Sequence, residues 1–120
     1  MKIAVSATTD SPQSPVDPRF GRAKWFMLFE SEGATWKTVD NVQNLNASQG
    51  AGIQAAANVV NAGAEVLISG HCGPKAFTVL TKAGVAVYRI SGEYTVTTAM
   101  EAYRKGVLQK LENADVEGHW

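Results

Sequence analysis

The segment Val66-Leu67-Ile68-Ser69-Gly70-His71-Cys72-Gly73-Pro74-Lys75-Ala76-Phe77 constrains the fold more than any other stretch of this chain. Its apolar start reads as a buried strand. Pro74 reads as the first residue of a helix, where its missing N–H is no loss. A strand that passes through a short polar loop into a helix is the first half of a crossover, and crossovers join parallel strands. The junction also directs open backbone N–H groups and the positive end of a helix dipole at one spot, which suits an anion. Lys75 adds a charge there. His71, one of two histidines, and Cys72, the only cysteine, add metal-ligand chemistry. The same residues also describe a plain strand-to-helix turn with a buried cysteine, a common place for an unpaired thiol.

The rest of the chain alternates strands and helices around that junction. Residues 2–8 read as a strand, 24–30 as a second and Thr35–Asn41 as a third, with a hairpin turn at Glu32-Gly33. Residues 42–49 read as a polar connection. Ile53, Ala56, Ala57 and Val60 fall at helical spacing over 50–62, and Gly63 suits the residue after the helix end. The helix from Pro74 is expected to bury Phe77 and Leu80 and to stop near Gly84. Val85–Ile90 reads as a fifth strand. Thr98 with Glu101 fits a capping box for a last helix carrying Met100, Tyr103, Val107 and Leu111. The order β-β-β-α-β-α-β-α predicts one α/β domain over residues 1–120, a mixed five-stranded sheet with helices on both faces.

In such sheets ligands sit beyond the carboxyl ends of the parallel strands. Three polar segments are expected there: the loop Thr8–Arg22, the Gly70–Lys75 loop and Ser91-Gly92-Glu93. The first contains Asp17-Pro18-Arg19-Phe20-Gly21-Arg22-Ala23. Arg19 and Arg22 around an aromatic and a glycine suit an anion. Alternatively, Asp17 pairs with an arginine to pin the loop, and Phe20 is its hydrophobic plug. With Pro12, Pro15 and Pro18 and few apolar anchors, the loop is expected to be mobile until a ligand orders it.

Several classes are disfavoured. Lys plus Arg and Asp plus Glu balance at 11 each, which argues against bulk binding of nucleic acid. No stretch approaches the ~20 apolar residues of a membrane span. One cysteine permits no internal disulfide and no signal-peptide pattern follows Lys2, so a cytoplasmic protein is expected. Gly50-Ala51-Gly52-Ile53-Gln54-Ala55 fits a dinucleotide fingerprint, but it does not directly follow a strand; close packing of small residues is the better reading. Two-metal nuclease chemistry needs clustered carboxylates, and the first strand offers Ala4, Val5 and Ser6.

DPRFGRA at 17–23, GAGIQAA at 50–56 and SGHCGPKAF at 69–77, together with the ending Asp115–Trp120, resemble the dinitrogenase iron–molybdenum cofactor biosynthesis family. Its members include NifX, NafY, NifB C-terminal domains and small stand-alone proteins such as the orange protein of sulfate reducers. The resemblance implies a three-layer, ribonuclease-H-like fold and noncovalent binding, storage or delivery of a preformed metal–sulfur cluster. That cluster would contain molybdenum, of Mo–Cu sulfide or Fe–Mo type. An iron–sulfur cluster held by the protein wants about four thiolates, and this chain has one. Any cluster must therefore bring its own sulfides. It would meet Arg19, Arg22, Lys75, Pro74 and the N–H groups near Gly73, with Phe20 and Phe77 as apolar walls and His71 or Cys72 as a metal ligand. A monomer or weak dimer with a recipient protein as partner is expected, without nucleic acid, membrane or enzymatic activity. A cofactor-free interaction module and a cysteine-dependent enzyme are the alternatives.

Overall fold

The computed structural model describes residues 1–41 and 50–112. The polar connection 42–49 and the ending Asp115–Trp120 lie outside the described residues. Strands β1 (Lys2–Ala7), β2 (Trp25–Glu30), β3 (Thr35–Asp40), β4 (Val66–Ser69), β5 (Ala86–Arg89) and β6 (Gln109–Lys110) form one sheet in the order β3-β2-β1-β4-β5-β6. Pairs β1–β4 and β4–β5 are parallel; β1–β2, β2–β3 and β5–β6 are antiparallel. The parallel core and the hairpin are as the sequence predicts.

Side-chain alternation splits the core into two layers. Ala4, Leu67 and Val87 face helices α1 (Ala51–Asn61) and α2 (Pro74–Lys82), packing with Ala55, Ala56, Val59 and Leu80. Ile3, Val5 and Ile68 face α3 (Val96–Arg104), packing with Val96, Ala99 and Met100. Helices thus cover both faces, and the near-continuous apolar character of β4 follows from burial on both sides.

Four details differ from the sequence reading. A sixth strand completes the sheet: Gln109 and Lys110 are exposed and pair with Arg89 and Tyr88, which leaves no apolar pattern to read. The last helix is shorter than expected. It ends at Arg104, and Gly106 follows with φ of 74°; Val107 is 68% exposed, and Leu111 packs on the α1–α2 side. Its capping box is Thr95–Thr98 rather than Thr98–Glu101. Finally, α1 buries Ala51, Gly52, Ala55, Ala56 and Val59, while Ile53 is 38% exposed and Ala57 and Val60 are half-buried. Small residues permit close approach, and that sets the helix's rotation rather than its bulkiest side chains. The expected terminal glycine holds: Gly63 follows α1 with φ of 85°.

The cap has a measurable consequence. Thr95 Oγ1 accepts from Thr98 N at 3.2 Å, and Thr98 Oγ1 accepts from Thr95 N at 2.8 Å. Thr95→Ala removes one of these bonds and is expected to destabilise the domain by about 1 kcal/mol. A denaturant midpoint unchanged from wild type would show that α3 is held by packing alone.

Candidate functional site

The loop that leaves β1 is better anchored than its composition suggests. Thr8 N donates to Pro15 O at 3.2 Å, Asp17 N to Ser6 O at 3.0 Å and Val16 N to Tyr94 O at 2.9 Å. Val96 N donates to Ser14 O and Thr97 N to Pro12 O. Ser14 and Asp17 are buried. These are backbone and short polar contacts, which hydropathy does not register. The expectation of a loop short of anchors does not hold.

Through these bonds the three expected segments meet on one sheet edge. On one side Pro15 bridges Thr95, just after the exposed Ser91-Gly92-Glu93; on the other Arg19 bridges His71 in parallel fashion. His71 N donates to Pro18 O at 2.8 Å and Phe20 N to His71 O at 3.2 Å. The approach is so close that a Cβ on Gly70 would stand 2.6 Å from Pro18 Cα. The third motif joins behind them. A Cβ on Gly21, in the 3-10 turn Phe20–Arg22, would stand 3.1 Å from Gly52 Cα and N at the start of α1. Motifs far apart in sequence therefore share one backbone junction, and GAGIQAA supplies small residues at a close contact, as read.

The side chains at this junction divide into two sets. Arg19 is exposed, with 55% of its side chain open to solvent. Pro74 and Lys75 are exposed, and Arg22, His71 and Phe77 are half-buried. Gly73 is buried and caps α2 with no side-chain hydrogen bond to the first turn; Pro74 occupies the first helical position. The amides of that turn and the positive end of the helix thus lie beside His71 and Lys75.

Phe20 and Cys72 belong to the other set, each 1% exposed. The Phe20 ring packs on Phe26 with centroids 5.3 Å apart, so it is the loop's plug and not an outer wall. The Cys72 thiol lies in the core with Gly73 O at 3.8 Å. Asp17 Oδ1 accepts from Arg19 N at 2.9 Å and stands 3.9 Å from Arg19 Nε. The pinning reading of Asp17 therefore holds alongside an exposed Arg19.

Beyond β5 on the same edge lies a cleft of about 300 Å³ lined by residues that include Arg89, Ser91, Tyr94 and Gln109. Sequence reading passes over Arg89 and Tyr94, because no local pattern marks either one. Among the described residues no group of three or more His, Cys, Asp or Glu could hold a metal ion, and no helix is long and apolar enough to cross a membrane.

Known proteins share this fold. The apo form of the orange protein from Desulfovibrio gigas superposes with a TM-score of 0.92 at 36% identity, over 96% of each chain. A NifB-like protein of the DUF35 family from Thermotoga gives a TM-score of 0.84 at 32% identity, over 98% of each chain. An uncharacterized protein of Methanocaldococcus jannaschii is 29% identical over 114 residues, covering 93% of this chain and 92% of its own. Residues 1–106, which include all three junction motifs, match the family described as dinitrogenase iron-molybdenum cofactor, and the chain belongs to that family.

Proposed function

We propose that this protein carries a preformed, anionic metal–sulfur cluster as cargo, held without covalent attachment and released to a recipient protein. The observation that carries this reading is the Arg19–His71 junction beside the uncapped start of α2. It gathers an exposed guanidinium, an ammonium and helix-end amides, and this is the donor set an anion needs. Three protein ligands able to cage a bare metal ion are lacking among the described residues. That favours cargo that arrives with its own sulfides. We take the cluster to contain molybdenum, of Mo–Cu or Fe–Mo type, in line with the family. We further take the sheet order β3-β2-β1-β4-β5 as support for a ribonuclease-H-like fold, and residues 1–120 as one cytoplasmic domain acting as a monomer or weak dimer. We take the half-buried His71, rather than the buried Cys72, as the side chain that would give a single metal bond. With its only thiol 1% exposed, the chain suits a carrier better than a cysteine-dependent enzyme.

Purified protein mixed with tetrathiomolybdate and copper(I), then desalted, should retain metal by elemental analysis and absorb in the visible. Protein that emerges colourless and metal-free would overturn the proposal and favour a cofactor-free interaction module. Cys72→Ser should still take up the cluster, because Cys72 faces the core. It should, however, lose about 1–3 kcal/mol of stability by burying a hydroxyl. Loss of all colour in a folded Cys72→Ser protein would make the thiol a ligand.

A further inference from the structure

Asp17 is a buried carboxylate held against the proposed anion site. Its carbonyl accepts from Ser6 Oγ at 2.7 Å and its N–H donates to Ser6 O at 3.0 Å. Ser6 Oγ is in turn 2.9 Å from Ser69 Oγ, so the β4 hydroxyl braces the β1 hydroxyl that holds the Asp17 backbone. Ser6, Ser69 and Asp17 are 0%, 1% and 6% exposed. These bonds fix the Asp17 backbone, while burial and the Arg19 N–H on Oδ1 at 2.9 Å hold the carboxylate in place. It faces Arg19, whose backbone it accepts from and whose guanidinium stands at 3.9 Å. A contact that long leaves the guanidinium able to turn outward, with a negative charge still behind it.

We propose that Asp17 competes with the cargo for Arg19 and so sets how readily the cluster is released. This rests on the cargo reading above. Each retained cluster must take the guanidinium from its resident partner. The competition weakens retention, which a delivering protein needs. A merely structural Asp17 would give the opposite sign, since loosening the loop should weaken binding.

Asp17→Asn separates the two roles. It keeps an Oδ1 acceptor for Arg19 N–H and removes the charge. Wild type and Asp17→Asn would be titrated with tetrathiomolybdate plus copper(I), reading visible absorbance, and then diluted to follow loss of colour. Asp17→Asn should bind about two- to fivefold tighter and release correspondingly more slowly, the worth of one exposed ion pair that binding no longer has to break. In an Arg19→Ala background the gain should vanish. If Asp17→Asn does not fold, Asp17→Ser offers a neutral side chain that can also accept from the N–H two residues on. Equal or weaker binding by the neutral variant overturns the inference while leaving the cargo reading intact. A gain that persists without Arg19 also overturns it. Wild type that takes up no cluster removes the cargo reading and this inference together.

Discussion

Gly70→Ala should lower the melting temperature by roughly 10–15 °C, the equivalent of about 3 kcal/mol in a domain of this size. A Cβ at this position would lie 2.6 Å from Pro18 Cα and 2.8 Å from Pro18 C. Those are backbone atoms, so no side-chain rotation relieves the clash. The Pro18–Arg19 peptide would have to lift off β4. That movement would stretch the His71 N–Pro18 O and Phe20 N–His71 O bonds, at 2.8 and 3.2 Å, and pull Phe20 from its place against Phe26. Gly33→Ala is the control, since its Cβ would meet only the Thr35 side chain at 3.7 Å. It should stay within about 0.5 kcal/mol of wild type. Thermal unfolding followed by circular dichroism checks both. A Gly70→Ala protein melting within two or three degrees of wild type would show that the first loop rides less tightly over β4.

The β4-loop-α2 junction was legible because each of its signals is local. An apolar run, a glycine-bracketed polar loop and a proline at the first helical position all lie within a dozen residues. The hairpin and the placement of helices on both faces were legible for similar reasons. What escaped was decided by partners distant in sequence. β6 exists because Tyr88 and Arg89 offer it an open edge, and a two-residue exposed strand has no periodicity to show. Ile53 and Val60 drew the helix face toward themselves by hydropathy, yet α1 turns its small residues inward because Gly52 must meet Gly21.

The candidate site divides in the same way. DPRFGRA and SGHCGPK could be recognised as neighbours of strand ends, so their meeting was predictable. Whether an aromatic or a thiol within them faces in or out was not. Phe20 and Cys72 are each flanked by glycine on one side, and glycine leaves the direction of the next side chain to tertiary contacts. Asp17 as a pin was one of two alternatives, because its backbone is fixed by Ser6, which Ser69 braces in turn, two small residues that carry no functional signature alone.

Arg19→Ala should weaken retention of the thiomolybdate–copper cluster by roughly 10- to 100-fold, the loss of one charge-assisted contact of about 1.5–3 kcal/mol. Its fold should survive. The Arg19 side chain is 55% exposed, and the Asp17–Arg19 ion pair at 3.9 Å is too long and too open to contribute much stability. What holds the loop is the Arg19 backbone N–H on Asp17 Oδ1, at 2.9 Å, and alanine keeps it. Lys75→Ala should weaken binding less, because an exposed lysine on a flexible stem is a hydrated point charge and loses more order on contact. The α2 amides remain in both variants, so neither should abolish uptake. Their combined effect should approach the sum if the two charges act independently, and fall short of it if each contact positions the cluster for the other. Raising salt should shrink the wild-type advantage over both variants. Retention by Arg19→Ala equal to wild type at low salt would take this loop out of the site, and the cleft beside Arg89 and Tyr94 would then be the place on the same sheet edge to examine.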